Sequence, residues 1–235
     1  MTRSKNLRLI FTGVLLLFIS GISAQTEYNK IDENGKRDGI WKKYWDNNRI
    51  RYHGKFEHGK EVGTFKYYSP ATSEFPVIIK KFHDNDDLAD VKFFNEKGVL
   101  ISEGKMQGKK RVGKWLYYHT DGKTVMSEEN YVDGKLDGEY KTFYPDGSPT
   151  ETGFYKDGKR DGNYKKYAIK GHLIYDFNYR NGMLNGKAAY YSRKTGDLIK
   201  KGQFKDDQRV GTWENYVDGE LVSTEQPALK PEKQK

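Results

Sequence analysis

A short segment recurs eight times along this chain, and this repeat constrains the fold more than any other feature of the sequence. Each segment is anchored on a glycine, replaced once by alanine: Gly39, Gly63, Ala89, Gly113, Gly138, Gly162, Gly186 and Gly211. The residue five positions after each anchor is aromatic: Tyr44, Tyr68, Phe94, Tyr118, Phe143, Tyr167, Tyr191 and Tyr216. Successive anchors lie 24 to 26 residues apart, a period typical of solenoids and other repeat arrays.

Each repeat contains two turn signals and two segments of strand length. The first signal is a dipeptide such as Asn-Gly or Asp-Gly ahead of the anchor, which gives the turn glycines Gly35, Gly59, Gly134, Gly158 and Gly182. These glycines supply the positive φ angles of tight hairpin turns. Strands of about six residues and turns of about five fill the period. We therefore predict an all-β fold, an elongated single-layer antiparallel meander of about eight stacked hairpins with roughly sixteen strands.

The third repeat departs from the pattern. Residues Phe82–Phe94 align with Phe56–Tyr68, but Ala89 replaces the anchor glycine. We expect this repeat to be the most strained or the most irregular, because alanine adopts positive φ angles reluctantly. Ahead of it, Ser69–Pro76 contains two prolines and is predicted to be a loop.

The N-terminus has the pattern of an export signal. Arg3, Lys5 and Arg8 precede an apolar run, and small residues follow it near Ala24. The run is shorter than the roughly 20 residues of a membrane-spanning helix. We predict a signal peptide at residues 1–24, an exported mature protein that is periplasmic or extracellular, and no transmembrane segment after cleavage. A retained N-terminal anchor is the alternative.

The mature chain is predicted to be one repeat domain, residues 25–223, followed by a disordered tail, residues 224–235. Loss of the three signal-peptide cations lowers the formal net charge from +9 to about +6. The remaining charges are interspersed, so we expect no nucleic-acid partner. The chain has no cysteine, and its stability must come from packing and from hydrogen bonds within the sheet.

The repeat units resemble those of a known family. Gly-x-Trp-x-x-Tyr segments at this period, separated by Asp-Gly-Lys turns as in Asp133–Phe143, are similar to MORN repeats. They are most similar to the variant found in exported bacterial proteins, which is sometimes labelled antitoxin-like. The resemblance covers nearly the whole mature chain. It implies a single-layer sheet of stacked hairpins that acts as a binding or tethering module, with lipid or protein partners.

Strand alternation divides each repeat between two faces of the sheet. The residues two positions after the anchors are predicted to form a packing face: Trp41, Phe65, Val91, Trp115, Tyr140, Tyr164, Ala188 and Trp213. The opposite face carries lysines three positions after the anchors, followed by the column of aromatic residues. These lysines are Lys42, Lys66, Lys92, Lys141 and Lys165.

The lysine and aromatic columns have two interpretations. Rings in cross-strand register stabilise a sheet that lacks a second layer, and exposed lysines oppose aggregation. Alternatively, rings repeated at about 9.6 Å form a stacking ladder for a glycan, with lysines attracting its anionic groups. We therefore treat both columns as candidate partner-binding or glycan-binding residues.

No pattern of catalytic residues is found in the sequence. The five histidines lie at unrelated repeat positions, with no paired spacing of metal ligands. No nucleophile elbow or phosphate-binding glycine loop occurs. We expect a protein that is not an enzyme and that has no cofactor and no metal.

Three functional hypotheses follow. The first is a non-catalytic exported scaffold that binds a protein of the cell envelope. The second is a module that binds peptidoglycan or another envelope polysaccharide through the ring ladder. The third is binding to a membrane surface through the lysines, which should weaken as the salt concentration rises.

Overall fold

The computed structural model describes residues 27–227, so the predicted signal peptide and residues 228–235 of the predicted tail lie outside the described residues. Within this range, β-strands are the only regular secondary structure. They are β1 (Lys30–Ile31), β2 (Arg37–Tyr44), β3 (Ile50–Glu57), β4 (Lys60–Tyr67), β5 (Ile78–Phe82), β6 (Leu88–Phe94), β7 (Leu100–Gln107), β8 (Lys110–Tyr118), β9 (Val125–Val132), β10 (Lys135–Phe143), β11 (Pro149–Lys156), β12 (Lys159–Arg160), β13 (Gly162–Tyr167), β14 (Leu173–Arg180), β15 (Met183–Tyr191), β16 (Leu198–Lys205), β17 (Gln208–Val217) and β18 (Glu220–Glu225).

The strands form one open antiparallel sheet in which each strand pairs with the next along the chain, apart from β12 and β13, which both pair with β11. β12 and β13 are separated only by Asp161 and together act as one strand beside β11. With these merged and the two-residue β1 set aside, sixteen strands remain of the eighteen. The predicted all-β meander of hairpins is confirmed. The last strand extends to Glu225, two residues into the predicted tail.

Tight turns connect the hairpins as the sequence predicts. The five predicted turn glycines have φ angles between +74° and +87°. In the turn between β9 and β10, Asp133 also has a positive φ, +53°, so both central residues adopt the conformation of a type I′ turn. The segment Ser69–Pro76 lies between β4 and β5 and contains no strand, which confirms the predicted loop.

The anchor glycines produce a bulge in the sheet. All seven have φ angles between +64° and +110°, where an ordinary L-residue costs about 1–2 kcal/mol. Beside Gly63, His53 pairs with Lys66 and Lys55 pairs with Val62. A step of two residues along β3 therefore corresponds to a step of four residues along β4. The bulge lies on the side of the preceding strand, whereas pairing with the following strand is regular near the anchor.

The third repeat corrects our expectation. Its ladder between β5 and β6 runs from Ile78↔Phe93 to Phe82↔Ala89 without any shift of register. Ala89 is buried and lacks a positive φ. The prediction of an irregular repeat is wrong for its strand pairing, because without an anchor glycine the bulge does not form and the ladder stays regular.

Large rings cover glycines of the preceding strand on one face of the sheet, which we call the ring face. Phe65 lies over Gly54, and Trp115 lies over Gly104 so closely that an added Cβ would stand 2.5 Å from ring atoms. The four glycines in this position are Gly54, Gly104, Gly153 and Gly202. They recur every 49 or 50 residues, which is two hairpins.

Where the preceding strand has a larger side chain in place of this glycine, the residue two positions after the anchor is smaller. Phe177 pairs with Ala188, and Lys80 pairs with Val91. Both small partners are buried. Glu129 and Tyr140 are the exception, since both are sizeable and Tyr140 is only half-buried. In four repeats a large ring thus lies over a glycine, and in two others a large side chain lies beside a small one, so that most of the ring face is closed without a second layer.

We predict that Gly104→Ala destabilises the protein by about 1–3 kcal/mol, because the new methyl group overlaps the fully buried Trp115 ring. Gly153→Ala is the matched control. Its Cβ would meet Tyr164 at 3.4 Å, an ordinary contact, so we expect no loss or a small gain from reduced chain entropy. Denaturant unfolding measures both variants. Equal effects would contradict the ring-over-glycine fit.

Candidate functional site

The ring face is occupied by its own side chains. Phe65, Trp115 and Trp213 have no exposed surface, and Tyr164, Val91 and Ala188 are also buried. Trp41 and Tyr140 are half-buried. Four arginines lie over these rings with their guanidinium carbons 4.0–5.0 Å from the ring centres: Arg37, Arg111, Arg160 and Arg209. The residues predicted to pack do lie together on this face, and cation–π contacts add to the packing.

The opposite face, which we call the lysine face, carries a continuous cross-strand row through the middle of the sheet. We call it the central row; in spatial order it is Lys42, His53, Lys66, Ile79, Lys92, Glu103, Leu116, Glu128, Lys141, Thr152, Lys165, Asp176, Ala189, Lys201, Glu214 and Thr224. All five predicted lysines belong to it. Directly opposed side chains in such a row are close enough to interact.

Three of the predicted lysines form ion pairs. Lys92 lies 2.8 Å from Glu103, and Lys165 lies 3.9 Å from Asp176. Lys141 lies 2.8 Å from Glu139 of its own strand. From Lys92 onward the central row contains four lysines and four acidic residues, so its formal charge there is zero. These lysines are therefore largely neutralised by their neighbours.

Lys42 and Lys66 have a different environment. They flank His53 in register, with no acidic member of the central row beside them. Burial lowers the pKa of His53, and the charges of Lys66 and Lys42 lower it further. This end of the row therefore carries a positive charge that is not balanced within the row.

The predicted aromatic column lies beside the central row on the same face. Tyr44 is exposed, and the other seven rings are half-buried. Tyr118 donates a hydrogen bond to Glu103, and Tyr216 donates one to Glu214. Burial and the Glu103 hydrogen bond raise the pKa of Tyr118 to about 12. Two of the rings are thus held in place by acidic residues of the central row.

Aliphatic side chains lie between these rings on the intervening strands. The exposed ones are Ile101, Met126, Ile199 and Val222, with 42% to 58% of their surface exposed. Strand alternation places them on the lysine face, because their neighbours Ser102 and Ser127 pair across to the ring face. The aromatic column is therefore part of a longer apolar row near one edge of the lysine face.

Two grooves follow the central row where it carries a short or an apolar side chain. One has a volume of about 510 Å³ and lies around Ala189, with Asp176, Lys201 and Glu214 in its walls. The other has a volume of about 500 Å³ and lies around Ile79. Both are open depressions, and each contains one ion pair in its wall: Lys201 with Glu214 in the first and Lys92 with Glu103 in the second.

The two ends of the sheet differ. At the N-terminal end, the backbone N–H of Asn29 donates to Ile40 O at 2.9 Å, and Lys42 N–H donates to Asn29 Oδ1 at 2.8 Å. Trp41 Nε1 donates to Lys30 O at 2.9 Å. At the C-terminal end, all six residues of β18 are exposed, and among the described residues this strand pairs only with β17. Within residues 27–227, therefore, only the N-terminal edge is covered by a further segment of the chain.

Three features of the two faces are not predicted by the sequence analysis: the strand glycines, the arginines over the rings and the acidic residues of the central row. The strand glycines repeat every 49 or 50 residues, and this second period is visible in the sequence once it is sought. The arginines over the rings recur two positions before four of the anchors, which is a further signal. The acidic residues of the central row lie on the intervening strands, and their positions relative to the lysines depend on the register.

Over residues 27–227 the structure has no helix that is long and apolar enough to cross a membrane. In the same range, no group of three or more histidine, cysteine, aspartate or glutamate residues is arranged to hold a metal ion.

Comparisons with known proteins give no family assignment. No protein-family model matches the chain. No curated protein matches it either. The similarity to MORN repeats therefore rests on the repeat residues themselves.

Proposed function

We propose that this protein is a non-catalytic, exported MORN-type scaffold that binds another protein of the cell envelope. The export pattern of residues 1–24 and the eight repeats support this proposal. The observation that carries it is the exposed last strand, β18, at the end of a sheet whose other end is covered. An exposed strand edge is a template for pairing with a strand of another chain.

The composition of β18 suits strand addition. Leu221 and Val222 are 53% and 58% exposed, and Val217 of the neighbouring strand is 57% exposed. A partner strand would gain main-chain hydrogen bonds along β18 and apolar contacts with alternate side chains on both faces. Glu225 is held by Lys200 at 3.0 Å and by Arg209, which fixes the end of the strand against β17.

We predict that Leu221→Lys/Val222→Lys abolishes capture of an envelope protein by the mature chain, residues 25–235, because charges on an edge strand oppose strand pairing. The matched control is Val132→Lys, which changes a valine of 60% exposure in β9, a strand paired on both sides. Pull-down with cross-linking and identification of the cross-linked peptides is the measurement. Wild-type capture by the double variant, or cross-links that avoid β18, would contradict the proposal.

Glycan binding is a second candidate, favoured by the apolar row of the lysine face. The rings lie on one face, one in each hairpin, beside the exposed Ile101, Met126 and Ile199. Sugar rings pack against such apolar surfaces, and the spacing of about 9.6 Å between alternate strands is comparable with a disaccharide.

For this candidate we predict that Tyr118→Ala/Tyr167→Ala lowers cosedimentation with peptidoglycan, because two stacking surfaces are lost. Tyr155→Ala, which changes a half-buried tyrosine of the ring face, is the control and should retain binding. Circular dichroism establishes that each variant is folded. A folded double variant that sediments like the wild type would eliminate the ring ladder as a glycan site.

A further inference from the structure

The pattern of charged residues in the central row is different at its N-terminal end. Lys42, His53 and Lys66 are three successive members of the row on β2, β3 and β4. The next member, Ile79, is apolar. Farther along, acidic residues occupy the row between or beside the lysines, as Glu103 does for Lys92. A histidine flanked by two lysines thus replaces the arrangement that neutralises the rest of the row.

The charged groups around this cluster do not neutralise it. On β3, Arg51 lies 4.5 Å from the centre of the Trp45 ring, and Lys55 is paired with Glu57 at 2.6 Å. On β5, Lys81 lies two residues after Ile79 and therefore on the same face. Among residues 27–227, no carboxylate lies within 4.0 Å of the Lys42 or Lys66 ammonium group or of the His53 ring. Of these neighbours, Arg51 adds positive charge, whereas Lys55 is paired with Glu57 and Lys81 lies opposite Asp90.

Aromatic rings border the cluster. The ring of Tyr68 stacks on His53 with centres 6.0 Å apart and an angle of 26°, and its hydroxyl lies 3.4 Å from His53 Nε2. The Lys42 ammonium lies 4.0 Å from the centre of the Tyr28 ring. Tyr44 is exposed on the same face. Two ammonium groups, an imidazole and the Tyr68 hydroxyl thus belong to neighbouring strands at one end of the row, where they can donate hydrogen bonds to an anion.

We propose that Lys42, His53 and Lys66, with Tyr68 beside them, form a binding site for a carboxylate or phosphate group of an acidic polysaccharide. The lysines supply charge, and the rings supply a surface for the attached sugar. A membrane surface suits the site less well, because binding to anionic lipids favours positive charge spread over a face. Here the charge lies at one end of a row that is otherwise neutral.

The site has a built-in pH dependence. His53 is neutral at neutral pH, since burial and the two lysines lower its pKa. An anion bound beside it favours the protonated imidazole and so raises that pKa. By linkage, the affinity for the anion must increase as the pH falls through the pKa of His53.

The experiment uses the mature chain and a defined oligomer of galacturonic acid, with inorganic phosphate and phosphatidylglycerol vesicles as further probes. Calorimetry gives the affinity, and NMR of the His53 ring gives its pKa with and without each probe. We expect the oligouronate to bind more tightly at lower pH and to raise the His53 pKa. Phosphate should raise this pKa as well, at higher concentration, and the vesicles should not.

Two double variants with the same change in charge test the location. Lys42→Gln/Lys66→Gln should weaken oligouronate binding roughly tenfold or more and, without any ligand, should raise the His53 pKa toward its ordinary value. Lys141→Gln/Lys165→Gln, in the neutral part of the row, should change neither quantity. Equal weakening by both variants, an unchanged His53 pKa in the first, or binding to vesicles alone would overturn the proposal.

This site does not depend on the protein-binding edge. The variant Leu221→Lys/Val222→Lys should retain the rise in the His53 pKa on addition of the oligouronate, since β18 lies at the opposite end of the sheet from β2–β4. Loss of protein capture with retained oligouronate binding would therefore separate the two functions.

Discussion

The structure depends on the fit of a large side chain against a small one across neighbouring strands of the ring face. A sheet with one layer has no second layer to cover its apolar rings, so neighbouring strands must cover them. The anchor glycine bends the strand through a positive φ, and a ring two positions later then lies over the neighbouring strand. Only a residue without a side chain fits under Trp115 or Trp213.

The sequence predicts the hairpins because their signals are local. The turn glycines and the anchor period follow from backbone conformations that few residues adopt, so the all-β meander could be predicted without the structure. The behaviour of the third repeat could not, because the bulge depends on the pairing of two strands. Ala89 removes the bulge rather than straining it. The longer period of Gly54 and its equivalents is a feature of the sequence alone, but its meaning depends on the ring of the next strand that covers each glycine.

The two faces could be predicted only in part. Strand alternation separates the Trp115 column from the Tyr118 column and places Lys92 beside the latter. It does not reveal which residue of the next strand lies opposite a given lysine, because that depends on the register. The register brings Glu103 to Lys92 and His53 to Lys66. Lysines equivalent in sequence therefore differ in charge environment, and this difference distinguishes the lysines that we propose to bind an anion.

A double-mutant cycle at Phe177 and Ala188 tests the size fit most directly. Ala188→Trp should clash with Phe177, and Phe177→Gly should lose one buried ring, so each single variant should be destabilised. The double variant recreates the ring-over-glycine pair of Trp115 and Gly104. We expect its loss in unfolding free energy to be smaller than the sum of the single losses by about 1 kcal/mol or more. Additive losses would contradict the account.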